Sequence, residues 1–159
     1  MQQSIFLLCV LAVTAYLAVT AWEDHKTCEV TRWKHLIGFV PASCISIFRL
    51  DNHRMTECAI ILAFAAAYIL IGYWGVYGKA DGFVFAILSL FFGGIGGLAG
   101  IGIVILIMVL SALSFMIKHI VVCVARKEKL FRNVAGAYIP HIFIGYLGVS
   151  AMLLLKIVS

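Results

Sequence analysis

The sequence predicts an all-α, polytopic integral membrane protein of about six transmembrane helices, and three observations predict it. The 159 residues are 64% hydrophobic and only 12% charged, with a mean hydropathy of +1.11. Soluble domains carry about 25% charged and 45–50% apolar residues, and a short soluble chain has too much surface to cover with so few polar groups. Uncharged runs of bilayer length recur along the chain, and the basic residues collect in alternate loops. This composition excludes most soluble enzymes, a disordered chain and a nucleic-acid module, although the isoelectric point is near 9.1. The formal charge of +5 reads as loops held on one side of a bilayer.

A spanning helix needs about 20 mostly apolar residues. Ser4 to Trp22 is the first uncharged run, followed by the polar stretch Glu23 to Lys34. His35 to Phe48 is a second, short run carrying Pro41, and Cys58 to Gly78 is the third. Gly82 to Ile117 has no charge over 36 residues, too long for one span and right for two. Its middle, Gly93-Gly94-Ile95-Gly96-Gly97-Leu98-Ala99-Gly100, supplies the break, because glycine permits a tight turn and close helix approach. Asn133 to Leu155 is the last run. The N-terminal run is read as a retained helix, since a cleaved signal peptide starts with a basic segment and Met-Gln-Gln-Ser has none.

With six spans, the loops after spans one, three and five share a face. They hold nine of the twelve Lys and Arg residues: Lys26, Arg32, Lys34, Lys79, Lys118, Arg126, Lys127, Lys129 and Arg132. Arg49, Arg54 and Lys156 are left for the other face. The positive-inside rule makes the first face cytoplasmic and places both termini outside. Trp22, Trp33, Trp74 and Tyr77 fall near the expected interfaces, as an aromatic belt would.

The chain has seven acids, and its three aspartates, Asp24, Asp51 and Asp81, all stand at expected membrane boundaries. Asp24 follows span one and Asp81 opens span four on the cytoplasmic face, whereas Asp51 falls on the outer face. Topology therefore pairs Asp24 with Asp81. Two carboxylates held together at a low-dielectric boundary cannot both ionise easily, so they share a proton. One can then activate water while its protonated partner polarises a carbonyl. The plainer alternative makes both ordinary helix-end residues, with Asp81 meeting the dipole of the helix it opens.

The stretch Trp22-Glu23-Asp24-His25-Lys26-Thr27-Cys28-Glu29-Val30-Thr31-Arg32 resembles the first catalytic motif of the type IV prepilin peptidases, a family of GxGD-type membrane aspartic endopeptidases. Asp24, Lys26, Thr27 and Val30 fit, while Thr31 and Arg32 stand where Pro and Asn are usual. Gly78-Lys79-Ala80-Asp81 resembles the relaxed form of the second motif, with Gly82-Phe83 replacing the usual Val-Lys. The two aspartates are 57 residues apart, close to what the resemblance predicts, with two spans between them.

The resemblance implies removal of a short basic leader from pilin-, pseudopilin- or flagellin-like precursors, at the cytoplasmic face of the inner membrane. Asp24 and Asp81 would be catalytic. Gly78, Lys79, Ala80, Thr27 and Glu29 would line or support the substrate site, with Glu23 and Glu29 near the basic leader. One peptidase domain over residues 1–159 is expected, without the N-terminal methyltransferase domain of many bacterial members. No cofactor, metal or nucleic acid is expected, and the partners would be the precursor and the lipid bilayer.

The alternative is a small non-enzymatic transporter or channel subunit using a boundary aspartate as an ion site. A third reading is an inactive relative that only binds pilin-like helices. His25, Cys28 and His35 match no standard metal-ligand spacing and read as solvated loop residues. His141, after Pro140, reads as interfacial at the start of the last helix. The glycine cluster at 93–102 reads as packing and turn, and the stretch Arg126 to Arg132 as a basic loop touching anionic lipid. Five cysteines without a CxxC give no disulfide framework.

Overall fold

The computed structural model describes residues 2–48, 55–76, 78–127 and 136–158. Among them the chain forms five helices: α1 (Gln2–Thr27), α2 (Lys34–Phe48), α3 (Met55–Tyr73), α4 (Lys79–Arg126) and α5 (Ile139–Val158). Three of these, over Ile5–Thr27, Met55–Tyr73 and Lys79–Arg126, are long and apolar enough to cross a membrane. α2 has 15 residues, about 22 Å at 1.5 Å per residue, which is short of a hydrocarbon core of about 30 Å. The all-helical expectation holds. Six spans are not shown, since the described residues form five helices and both halves of the glycine-centred run fall within one of them, α4, which is interrupted at Gly97.

That element is nevertheless not straight. Gly97 has φ 58° and ψ −132°, a conformation that a Cβ-bearing residue avoids. Beyond it the backbone folds back, so that Gly100 lies directly against the Phe92 carbonyl and leaves no room for a side chain. Asp81 and Phe115 consequently line the same cavity. In a straight helix their 34-residue separation would place them about 50 Å apart. The limbs 79–96 and 98–126 thus run antiparallel, as the glycine-rich break predicts.

The first limb is the centre of the molecule. Val84, Phe85, Ala86, Ile87 and Leu88 are all at most 1% exposed, so this helix is apolar on every side and enclosed by its neighbours. α4 packs on α2, α3 and α5, while α1 packs on α2 and α5. Small residues allow these approaches, as membrane helix interfaces require. A methyl at Gly38 of α2 would lie 2.8 Å from the Tyr16 ring and 2.9 Å from Ile87 Cδ1, so α1, α2 and α4 meet there. Side-chain hydrogen bonds join the same helices: Ser46 Oγ donates to the Leu90 carbonyl at 2.7 Å, and the Thr14 and Tyr146 hydroxyls pair at 2.8 Å.

The outer surface is apolar. Leu7, Leu8, Leu11, Leu62, Leu70, Met116, Ile117 and Met152 are each at least half exposed. Water would penalise such a surface; lipid chains would not. Trp22, Trp33 and Trp74 are exposed at the helix ends where an aromatic belt is expected, with the Lys26 ammonium 4.4 Å from the Trp22 ring centroid. Tyr77, Asp51 and most of the basic stretch 126–132 lie outside the described residues.

Candidate active site

One end of the bundle collects the C-terminal ends of α1 and α3 and the N-terminal ends of α2, α4 and α5. A cavity of about 980 Å³ opens there, and Asp24 and Asp81 both line it. The volume lies at the upper end of the roughly 300–1,000 Å³ usual for small-ligand pockets, sufficient for an extended peptide segment. The two carboxylates, 6% and 8% exposed, are close enough for the charge of Asp24 to act on Asp81.

Each carboxylate is held by backbone N–H groups. Asp24 lies inside the last turn of α1, which continues to Thr27, whereas the uncharged run ends at Trp22. From there its Oδ2 accepts the N–H of Ile139 at 2.9 Å in a buried hydrogen bond, and the backbone at Tyr138 also contributes. Ile139 is the first residue of α5, so Asp24 satisfies an orphan donor of a helix 115 residues away. Asp81 is in the first turn of α4, and its Oδ2 accepts the N–H of Gly78 at 3.1 Å. This is half of a capping box, because Gly78 has no side chain to reciprocate. A methyl at Gly78 would lie 2.7 Å from that same Oδ2. Among the described residues, the recorded hydrogen bonds to both aspartates engage Oδ2.

The Gly78 geometry carries a prediction. Gly78→Ala is expected to push the Asp81 carboxylate aside and lower any activity that depends on it by about 10–100-fold. Thermal stability should fall by only about 1 kcal/mol, the loss of one helix cap, because φ at Gly78 is −61° and alanine adopts it freely. Turnover measured beside the melting temperature separates the two effects.

The other expected site residues divide. Gly78, Lys79, Ala80 and Glu29 line the cavity. Thr27 is absent from its described lining. Its hydroxyl instead lies 2.9 Å from the Glu23 carbonyl and 2.8 Å from the Glu29 carbonyl, tying the end of α1 to the following loop. Glu23 is already engaged: it forms an ion pair with Lys34 at 2.8 Å and accepts the Thr31 hydroxyl at 2.9 Å. It braces the α1–α2 connection and is not free to meet a basic ligand. Thr31 therefore has a local role, and Phe83 lies in the cavity wall.

His35 corrects the sequence reading, which places it among solvated loop residues. It is 3% exposed, its Nδ1 is 2.7 Å from the Tyr16 hydroxyl, and its ring stacks on Phe83 with centroids 5.0 Å apart. The sequence signal was available, since His35 opens the uncharged run to Phe48, and in the structure α2 begins at Lys34 and holds it in a helix. His25 and Cys28 are exposed. Among the described residues, no three or more His, Cys, Asp or Glu side chains are gathered as a metal site. Tyr16→Phe is expected to lower stability by about 1–3 kcal/mol, because it leaves a buried imidazole nitrogen unpaired. Thermal unfolding in detergent micelles measures this.

His141 is also more enclosed than an interfacial histidine. It is 5% exposed, with Nδ1 2.8 Å from Ser114 Oγ and its ring edge-on to Phe115. The same Phe115 packs edge-on to Tyr138, with centroids 5.4 Å apart. Tyr138 lines the cavity and was missed from the sequence.

Comparison with known protein families, with curated proteins and with solved structures finds no match.

Proposed function

We propose that this protein is a membrane aspartic endopeptidase that removes the short basic leader of type IV prepilin-like precursors at the cytoplasmic face. The observation that carries the reading is the convergence of Asp24 and Asp81, from two different helices, in one cavity large enough for a peptide. The two local motifs around them supply the substrate class. In the proposed reaction one ionised carboxylate takes a proton from water, and its protonated partner donates to the scissile carbonyl. Oδ2 of each aspartate is anchored on backbone N–H, which orients the pair before substrate arrives.

Six membrane crossings belong to the same proposal, with the reversal at Gly97 separating the fourth from the fifth. Lys26, Lys34, Lys79, Lys118, Arg126 and Lys127 all fall at the cavity end of their helices. The positive-inside rule would set that end in the cytoplasm and both termini outside, in the inner membrane of the cell.

The test uses membranes containing the wild type, Asp24→Asn, Asp81→Asn or Asp51→Asn, each with a co-expressed pilin-like precursor, and leader loss is followed by gel shift. Cleavage by the wild type and Asp51→Asn, with none by the other two variants, is the expected result. Wild-type membranes that leave a panel of such precursors intact overturn the reading. An ion-site function then becomes the better account, and the dependence of flux on Asp81 and membrane potential would measure it.

A further inference from the structure

We infer that Tyr138 is a third polar group of this site, whose phenol donates a hydrogen bond to the carbonyl oxygen of the peptide bond held between Asp24 and Asp81. This rests on the peptidase reading, and three structural observations lead to it. Tyr138 stands immediately before α5, where the N–H of the next residue, Ile139, holds the Asp24 carboxylate. Tyr138 lines the cavity that both aspartates line. Its ring is set edge-on against Phe115, with centroids 5.4 Å apart, which holds the ring in place. Tyr138 therefore stands beside the backbone anchor of Asp24 and on the wall of the cavity that holds Asp81.

The chemistry follows from the charge pattern. A peptide carbonyl placed between the carboxylates develops negative charge on its oxygen as water adds, and it requires donors there. Asp24 and Asp81 together offer one shared proton. Lys79, on the cavity lining, holds its ammonium 5.3 Å from the Tyr73 ring centroid and is directed to that ring. A phenol is neutral and able to donate at ordinary pH. It remains a donor wherever the dyad works, and it adds no charge to a site that already holds two acids.

Tyr138→Phe removes the hydroxyl while keeping the ring on Phe115 and the backbone on Asp24. The expected result is a fall in kcat of about 10²-fold or more, the usual loss for one donor to a developing oxyanion, with KM and melting temperature nearly unchanged. A purely structural role would lower the melting temperature and leave kcat per folded molecule intact.

A second measurement needs no turnover. With 3-fluorotyrosine at position 138, the fluorine resonance reports phenol ionisation, and Asp81→Asn is expected to lower its titration midpoint by removing a nearby negative charge. A midpoint unmoved by Asp81→Asn shows that the phenol does not address Asp81 and overturns the inference. Wild-type cleavage that Tyr138→Phe retains in full overturns the inference alone and leaves the peptidase reading standing. A wild type that cleaves no precursor overturns both.

Discussion

Asp24→Asn and Asp81→Asn are each expected to lower precursor cleavage by about 10³-fold or more while leaving the protein folded. General acid–base groups contribute about 10²–10⁴-fold, and loss of either member of a paired dyad removes both the water activation and the carbonyl polarisation. The asparagine variants are informative because of how the carboxylates are held. An amide oxygen at position 24 can still accept the Ile139 N–H, now bonded at 2.9 Å, so α1 and α5 stay joined. An amide oxygen at position 81 can likewise accept the Gly78 N–H, now at 3.1 Å. Asp24→Ala, in contrast, would leave the Ile139 N–H buried and unpaired, at about 1–3 kcal/mol, and would confuse folding with chemistry. Melting temperatures equal to the wild type, together with lost cleavage, would assign the loss to the carboxylate. Variants that cleave like the wild type would remove the dyad from the mechanism.

The second large effect is expected at the reversal of α4. Gly97→Val forces a β-branched residue to φ 58°, ψ −132°, and strain of this kind costs about 1–3 kcal/mol. Gly100→Val places a side chain onto the Phe92 carbonyl, where even a single carbon has no space, with an overpacking cost of about 1–3 kcal/mol or more. At about 2–4 °C per kcal/mol for a chain of this size, each variant should melt several degrees lower. Activity should fall with it, because the turn brings Phe115 and Tyr138 to the end of the molecule where Asp81 lies. Gly96→Ala and Gly102→Ala serve as controls, since a methyl at either position meets nothing within 4 Å and should leave melting unchanged. Equal melting of all four variants would mean that the chain does not fold back at Gly97.

Much of this was legible in the residues themselves. Composition and uncharged runs determine an all-helical, apolar protein, because a backbone in lipid must satisfy its own hydrogen bonds and 12% charge cannot cover a soluble surface. The eight residues from Gly93 to Gly100 announce a break, since no other residue tolerates the conformation found at Gly97. Side and depth alone pair Asp24 with Asp81, and the structure sets both on one cavity.

Other features became visible only in three dimensions. The extent of α1 to Thr27 was hidden because Glu23, Asp24 and Lys26 end the apolar run while the backbone stays helical. His35 reads as polar and solvated in one dimension, yet the Tyr16 hydroxyl and the face of Phe83 take it into the wall of the cavity. Glu23 reads as free to meet a basic ligand until Lys34 and Thr31 are seen to hold it. The anchor of Asp24 is the N–H of Ile139, and backbone donors leave no trace in residue identity. Tyr138 has no motif around it, for its place depends on how α5 docks onto α1 and α4. The sequence by itself determined an apolar, all-helical chain and singled out the groups that could do chemistry. The tertiary structure decided which of them meet, because a distance of 115 residues along the chain becomes one hydrogen bond only when helices pack.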